Sequence, residues 1–279
     1  MIKFLKFGLI TAVWLMVIGL LSFVNRTDEP SEKMVEITTK FGVMRLKLYN
    51  ETPKHRDNFL KLVNEKYYDS TLFHRVISQF MIQGGDPDSK NAPAGKQLGE
   101  GGPGYEIDAE ITEGLFHKKG ALAAAREGDD VNPEKKSAGS QFYIVQGQVF
   151  DSLQLQNLQQ RRLKQYQSYE FKVCMNEPEN KERLNRYMYA MRNGDKITST
   201  GIMNEMRPTV DTLLEKYKYT PEQIEAYTTL GGAPHLDMAY TVFGELVEGW
   251  DVLDSISAVN VGDNKRPLED LIMSIRVVE

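Results

Sequence analysis

Short runs of β-branched and aromatic residues, cut apart by Gly, Pro, Asn and Asp, recur in two separated parts of the chain, and they limit its fold more than any other feature. They fall at 73–77, 81–83, 105–107, 121–124, 142–145 and 242–246, with a last strand at 271–278. Each is too short for an ordinary helix, and the spacing suits a closed or sandwiched antiparallel sheet. From Val35 to Leu48 apolar and polar residues alternate on either side of Lys40-Phe41-Gly42, which predicts two strands joined by a tight turn. Two helices fit among these strands. Thr52-Pro53 pairs an N-cap with proline at the first helical position, ahead of Phe59, Leu62 and Val63 at helical spacing, for a helix of about 13 residues. Gly249 to Ser257 places Trp250, Leu253 and Ile256 on one face.

Between residues 151 and 230 the texture changes. Leu, Gln, Arg, Lys, Glu and Met dominate, and apolar residues fall at 153, 155, 158 and 163 and again at 184, 187, 188 and 191. This spacing predicts four helices inserted into a β domain. Thr220-Pro221-Glu222-Gln223 marks one helix start, with Thr220 as cap and Gln223 in the capping-box position. The insertion reads as a solvated appendage to a domain spanning 34–279.

The first 25 residues stand apart. Met1 to Lys6 carries two lysines, and Gly8 to Val24 follows without a charge, in the order of a secretory signal or a membrane anchor. Residues 1–25 are therefore expected to form an apolar helix that exports the rest of the chain, to the periplasm or the outer face of the inner membrane, through a polar linker at 26–33. Membrane contact is expected through that segment alone.

Several chemistries are excluded. With 34 basic against 39 acidic residues, a net charge of −5 and no basic stripe, a nucleic-acid partner is disfavoured. The single cysteine, Cys174, cannot close an intramolecular disulfide. Gly99 to Gly104 matches G-x-G-x-x-G, but no βαβ unit surrounds it and Pro103 interrupts it, so nucleotide binding is rejected. His55, His74, His117 and His235 are scattered without ligand spacing, and neither a metal nor another cofactor is expected. There is no G-x-S-x-G elbow.

What remains is a constellation on the strands: Phe73-His74-Arg75-Val76, Gln79 to Asp86, Gly139-Ser140-Gln141-Phe142-Tyr143-Ile144, and His235-Leu236-Asp237 ahead of Tyr240-Thr241-Val242-Phe243-Gly244. In this order the blocks resemble the cyclophilin family of peptidyl-prolyl isomerases, over residues 35–148 and 231–279. The resemblance implies a mainly β fold with some α, an eight-stranded antiparallel barrel capped by two helices, with the segment 151–230 inserted. It implies an enzyme that turns X–Pro bonds in peptides, here assisting the folding of exported or envelope proteins.

The resemblance also implies roles. Arg75 matches the catalytic arginine, which donates to the prolyl nitrogen as that nitrogen becomes pyramidal. Phe80, Met81, Tyr143 and Leu236 match the proline pocket, Gln83 and Gln141 its polar wall, and Ala125 and Arg126 the stretch that offers backbone groups to the peptide. Three positions depart from the family's habit: Tyr143 where phenylalanine is common, Tyr240 where histidine is common, and His235 where eukaryotic members carry tryptophan. The last implies weak cyclosporin binding. The other reading is a cyclophilin-like module that holds unfolded chains without turnover, against which the intact Arg75 argues.

Overall fold

The computed structural model describes residues 32–278, so the expectations for the export segment 1–25 and for nearly all of the linker lie outside the described residues. Strands β1 (Lys33–Thr39) and β2 (Gly42–Leu48) form the expected hairpin, with Thr39 opposite Gly42. Lys33, read as the end of the linker, already opens β1. Helix α1 (Pro53–Asn64) follows, then β3 (Thr71–Leu72), β4 (Arg75–Ile77), β5 (Met81–Gly84), β6 (Glu106–Ile107), β7 (Ala121–Ala124), β8 (Ser137–Ala138) and β9 (Phe142–Val145). After the inserted helices come β10 (Val242–Glu248), α6 (Trp250–Ser257) and β11 (Ile272–Val278).

One antiparallel sheet runs in the order β3-β11-β1-β2-β10-β7-β9-β5-β4, and β6 pairs separately with β8. The first and last strands of that order are neighbours in sequence. Residues 71–77 pair with β11 through Thr71 and Leu72 and with β5 through Arg75 to Ile77, so a single bent segment carries both edges of the curled sheet. Counted as one strand it makes eight, as the resemblance implied, and among the described residues the curled sheet leaves no long edge to pair with another chain. The inward face of the sheet meets α1 and α6 around Ile37, Leu46, Phe59, Phe73, Ile82, Phe142, Leu253 and Ile275, all buried in one cluster. Burying a large apolar side chain in this way contributes about 1.5–3 kcal/mol.

Two local expectations need correction. Thr52 holds the N-cap position of α1 but makes no capping bond, and its buried hydroxyl has no partner. The Glu110 carboxylate caps the helix instead, accepting from the Lys54 and His55 N–H groups at 3.1 and 3.0 Å. A long-range carboxylate satisfies these orphan donors as a local side chain would. Trp250 does not share the buried face of α6. It is 40% exposed over Gly120, and Val252 joins Leu253 and Ile256 in the core.

The inserted helices are α2 (Ser152–Asn176), α3 (Lys181–Arg192), α4 (Lys196–Leu214) and α5 (Pro221–Thr229). The Thr220/Gln223 capping box forms as read from sequence, and a second one, Asp151 with Gln154, opens α2. The ends of the insertion are pinned together by an antiparallel bridge, Gln148 to Gly232, with bonds of 3.2 and 3.0 Å. Cys174, Met175, Ile202, Met206, Val210 and Leu214 make a small core of their own. Leu155, Tyr219 and Tyr227, however, pack with Phe116 and Phe150 of the barrel. The outer parts of the stretch therefore belong to the barrel's packing, and only its middle is an appendage.

Candidate active site

Strands β7 and β9 read Ala-Leu-Ala-Ala and Phe-Tyr-Ile-Val, buried at every position. A strand that is apolar throughout must be covered on both faces. Leu122, Ala124, Phe142 and Ile144 point into the barrel, whereas Ala121, Ala123, Tyr143 and Val145 point outward into a second cluster with Met81 and Leu236. That outer cluster floors the site.

Register then aligns the polar residues. Arg75 lies opposite Gln83, Gln83 opposite Tyr143, and Tyr143 opposite Ala123, a row across four strands. Arg75 Nη1 donates to Gln83 Oε1 at 3.0 Å, and Gln83 Nε2 donates to Gln141 Oε1 at 3.1 Å. Gln141 Nε2 in turn donates to the carbonyls of Gly99 and Gly101, both at 2.8 Å. The relay fixes both amide orientations and, through them, the guanidinium. Burial pushes the Arg75 pKa down, yet a guanidinium starts so high that it keeps its charge.

A cavity of about 280 Å³ opens on this row. Arg75, Phe80, Met81, Gln83, Ala125, Arg126, Tyr143, Leu236 and Tyr240 line it, which brings together nine of the residues singled out from sequence. Gln141 lines an adjoining cavity that shares Gln83, Gly99, Ala125 and Arg126. His235 is outside both linings, its ring 5.2 Å from that of Phe80. Phe80 itself sits at the β4–β5 turn, where its carbonyl accepts from the Gln146 and Gly147 N–H groups at 3.0 Å each.

Arg126 and Ala125 also make contacts on which the sequence was silent. The Arg126 guanidinium lies 4.5 Å from the Tyr240 ring centroid and donates to the Ala239 carbonyl at 2.8 Å, with Asp129 at 2.7 Å. It therefore braces the Tyr240 wall. Ala125 donates its N–H to the Gln141 carbonyl at 3.0 Å, and its carbonyl accepts from Ala138 at 2.8 Å. Only the second lone pair of that carbonyl is left for a ligand.

Sequence reasoning missed four lining residues, His74, Leu98, Gly99 and Glu100. His74 is buried, neither ring nitrogen makes a hydrogen bond of normal geometry, and burial pushes its pKa down to about 4. The glycine-rich stretch rejected as a nucleotide loop is a strap beside the cavity. Its Gly99 N–H donates to the buried Asp86 carboxylate at 2.5 Å, which also accepts from Asp88 at 2.8 Å. An Asp-Pro pair such as Asp86-Pro87 is a local turn signal, but nothing local marks Asp86 as the anchor of a strap. The pairing of His117 with Asp237 behind Tyr143 carried no signal, the two being 120 residues apart.

Among the described residues no cluster of His, Cys, Asp or Glu could hold a metal ion, and no helix is long and apolar enough to cross a membrane.

Comparison with known proteins adds the family. The profile of the cyclophilin type peptidyl-prolyl cis-trans isomerase/CLD family matches residues 34–163 and 219–277, leaving out the middle of the inserted helices. A Staphylococcus saprophyticus protein named for an inferred peptidyl-prolyl cis-trans isomerase activity is 30% identical over 249 residues, covering 88% of this chain and 92% of that relative. One from Staphylococcus aureus, named likewise, is 30% identical over 256 residues, covering 91% and 96%. A Streptococcus pyogenes protein named for inferred phosphatase and isomerase activities is 31% identical over 242 residues, and this chain spans 37% of its length. The fold is similar to that of a Cryptosporidium parvum cyclophilin, with a TM-score of 0.51 at 20% identity over 89% of this chain and 98% of that one. Matches of sequence and of fold thus cover the strands that carry the cavity, and the chain belongs to the cyclophilin-type peptidyl-prolyl cis-trans isomerases.

Proposed function

We propose that the cavity holds the proline ring of a peptide and that Arg75 lowers the barrier to rotation about the preceding X–Pro bond. The observation that carries this reading is the relay from Gly99 and Gly101 through Gln141 and Gln83, which fixes a charged guanidinium beside an apolar pocket. The rotation faces about 18–20 kcal/mol because the amide nitrogen shares its lone pair with the carbonyl. Raising a rate of ~0.01 per second to ~10 per second requires only about 4 kcal/mol. In the twisted transition state the nitrogen regains its lone pair and accepts a hydrogen bond from Arg75, an interaction absent in the planar ground state. No bond breaks and no cofactor is needed.

Among the described residues Gln83 is the one hydrogen-bond partner of Arg75, so most of its five N–H donors are open to a ligand. Phe80, Met81, Tyr143 and Leu236 hold the ring by apolar contact in both states, with Ala125, Tyr240 and its brace Arg126 forming the far wall. A Cryptosporidium parvum relative has been crystallised in the presence of the dipeptide Ala-Pro, which supports a proline-containing ligand here.

Arg75→Ala should leave the fold and peptide affinity largely intact and lower kcat by roughly 10- to 150-fold, the 1.5–3 kcal/mol of a charge-assisted hydrogen bond. A protease-coupled assay on an X–Pro peptide checks it. Turnover as fast as the parent's would remove Arg75 from the mechanism, and no turnover in either protein would favour a binding module. Cyclosporin should bind weakly, since His235 stands at the position where tight-binding members of the family carry a tryptophan that contacts the drug. Titration of the parent and of His235→Trp should show the variant binding more tightly. The folding of exported or envelope proteins is the proposed setting, supported by the composition of residues 1–25.

A further inference from the structure

Behind the pocket wall lies a buried chain of hydrogen bonds that ends in the inserted helices. His117 Nε2 is 3.0 Å from the Tyr143 hydroxyl, and His117 Nδ1 is 3.0 Å from Asp237 Oδ1. The same carboxylate oxygen accepts from the His117 backbone N–H at 3.0 Å. The other, Oδ2, accepts from the Tyr227 hydroxyl of α5 at 2.7 Å. Arg162 of α2 places Nη1 3.6 Å from Oδ2 and stacks over Tyr219, bringing a compensating charge beside the buried acid. Tyr143, His117, Asp237 and Tyr227 are all buried. An ionised carboxylate only accepts, so Nδ1 of His117 donates to it and Nε2 is left to accept the Tyr143 hydroxyl proton.

We propose that the inserted helices set the geometry of the proline pocket through this chain, with Tyr227 and Asp237 as positioning residues for the isomerase. Two walls hang on one carboxylate: Tyr143 through His117, and Leu236, which precedes Asp237 in the chain. Without the Tyr227 bond the carboxylate loses a donor it cannot replace with water, and the His117 ring and the Tyr143 ring lose their fixed azimuth. The hydroxyl of Tyr143, absent from the phenylalanine common in the family, is the link that makes the pocket responsive to α5. The inference rests on the proposed role of Tyr143 as a wall of the proline pocket.

The test is a double-mutant cycle on the full chain with Tyr227→Phe, Tyr143→Phe and the two combined, reading kcat and KM for an X–Pro peptide together with Tm. Tyr227→Phe keeps the ring and its packing and removes only the hydroxyl. It should raise KM by about three- to tenfold with kcat little changed, at the lower end of couplings within one hydrogen-bond network. In the Tyr143→Phe background the same change should have a clearly smaller kinetic effect, because the branch through His117 is already cut and only the one through Leu236 remains. A fall in Tm with unchanged kinetics would make the chain merely structural and overturn the proposal, and so would kinetic effects that simply add. If the parent shows no turnover, the isomerase reading is what fails. The same cycle read on the Kd of the peptide then decides the positioning role, with non-additivity supporting it and full additivity overturning it.

Discussion

His74 shows how one residue can link the site to stability. It is half of the His74-Arg75 pair on the segment that closes the sheet, it lines the cavity, and burial holds its pKa at about 4 against an ordinary 6.5, over the upward pull of Asp86. A histidine with a lowered folded-state pKa contributes stability that is complete above 6.5, where both states are neutral. Below that value the unfolded chain takes a proton that the folded chain refuses, and stability falls until about pH 4. Burial lowers the His55 pKa as well and adds to the effect in the same direction. The protein should lose about 1.5 kcal/mol from His74 alone between pH 6.5 and pH 5, above the range where most carboxylates titrate. Denaturant unfolding of the parent and of His74→Phe over that interval checks it. The variant should show a shallower decline, and an equal slope in both would assign the titration elsewhere.

At the level of elements, the question is which part of the inserted helices the barrel needs. Tyr219 donates its N–H to Gln159 Oε1 at 2.8 Å, so α2 meets the segment leading into α5 near residues 159 and 219. The apolar cluster of the middle part draws on nothing outside 164–218 except Leu163 and Met238. Replacing 164–218 with a short Gly/Ser loop should therefore leave a folded barrel with isomerase activity. Replacing 151–230 instead should destabilise it by at least about 3–5 kcal/mol, the scale of removing one large buried aromatic. That larger deletion takes Leu155, Tyr219 and Tyr227 from the cluster around Phe116 and Phe150 and removes a donor to Asp237. Comparing Tm and turnover of the two shortened proteins checks the boundary. Equal stability would mean that the whole insertion is dispensable.

For the whole molecule, the two lysines ahead of the uncharged stretch 8–24 favour keeping the N-terminus inside and placing the rest beyond a membrane. Fractionation should find the protein outside the cytoplasm, and sequencing the mature N-terminus should separate a cleaved signal from an anchor. A wholly cytoplasmic protein would end the export proposal. The domain that would be exported does not depend on oxidation, since its one cysteine, Cys174, is buried and unpaired in the core of the inserted helices.

Most strand positions were legible to within a residue or two because their cause is local, whereas the two-residue strands β3 and β8 carried no such pattern. Alternation, glycine and proline punctuation and the Thr220/Gln223 capping box are properties of neighbours along the chain, and they survive folding. The apolar runs at 121–124 and 142–145 also carried their own message, that both faces of those strands must be covered. Nothing local could say what covers them. Whether Glu110 or Thr52 caps α1, whether Arg126 braces Tyr240 or faces a ligand, and whether His117 meets Asp237 all depend on groups brought together from distant segments. The sequence by itself determined most of the elements, the residue types of the pocket and the family they resemble. Only the tertiary structure decided which inserted residues belong to the barrel and which buried donors hold the pocket's walls. Hydrogen bonds and packing between segments follow from closure of the sheet, and separation along the chain carries no record of them.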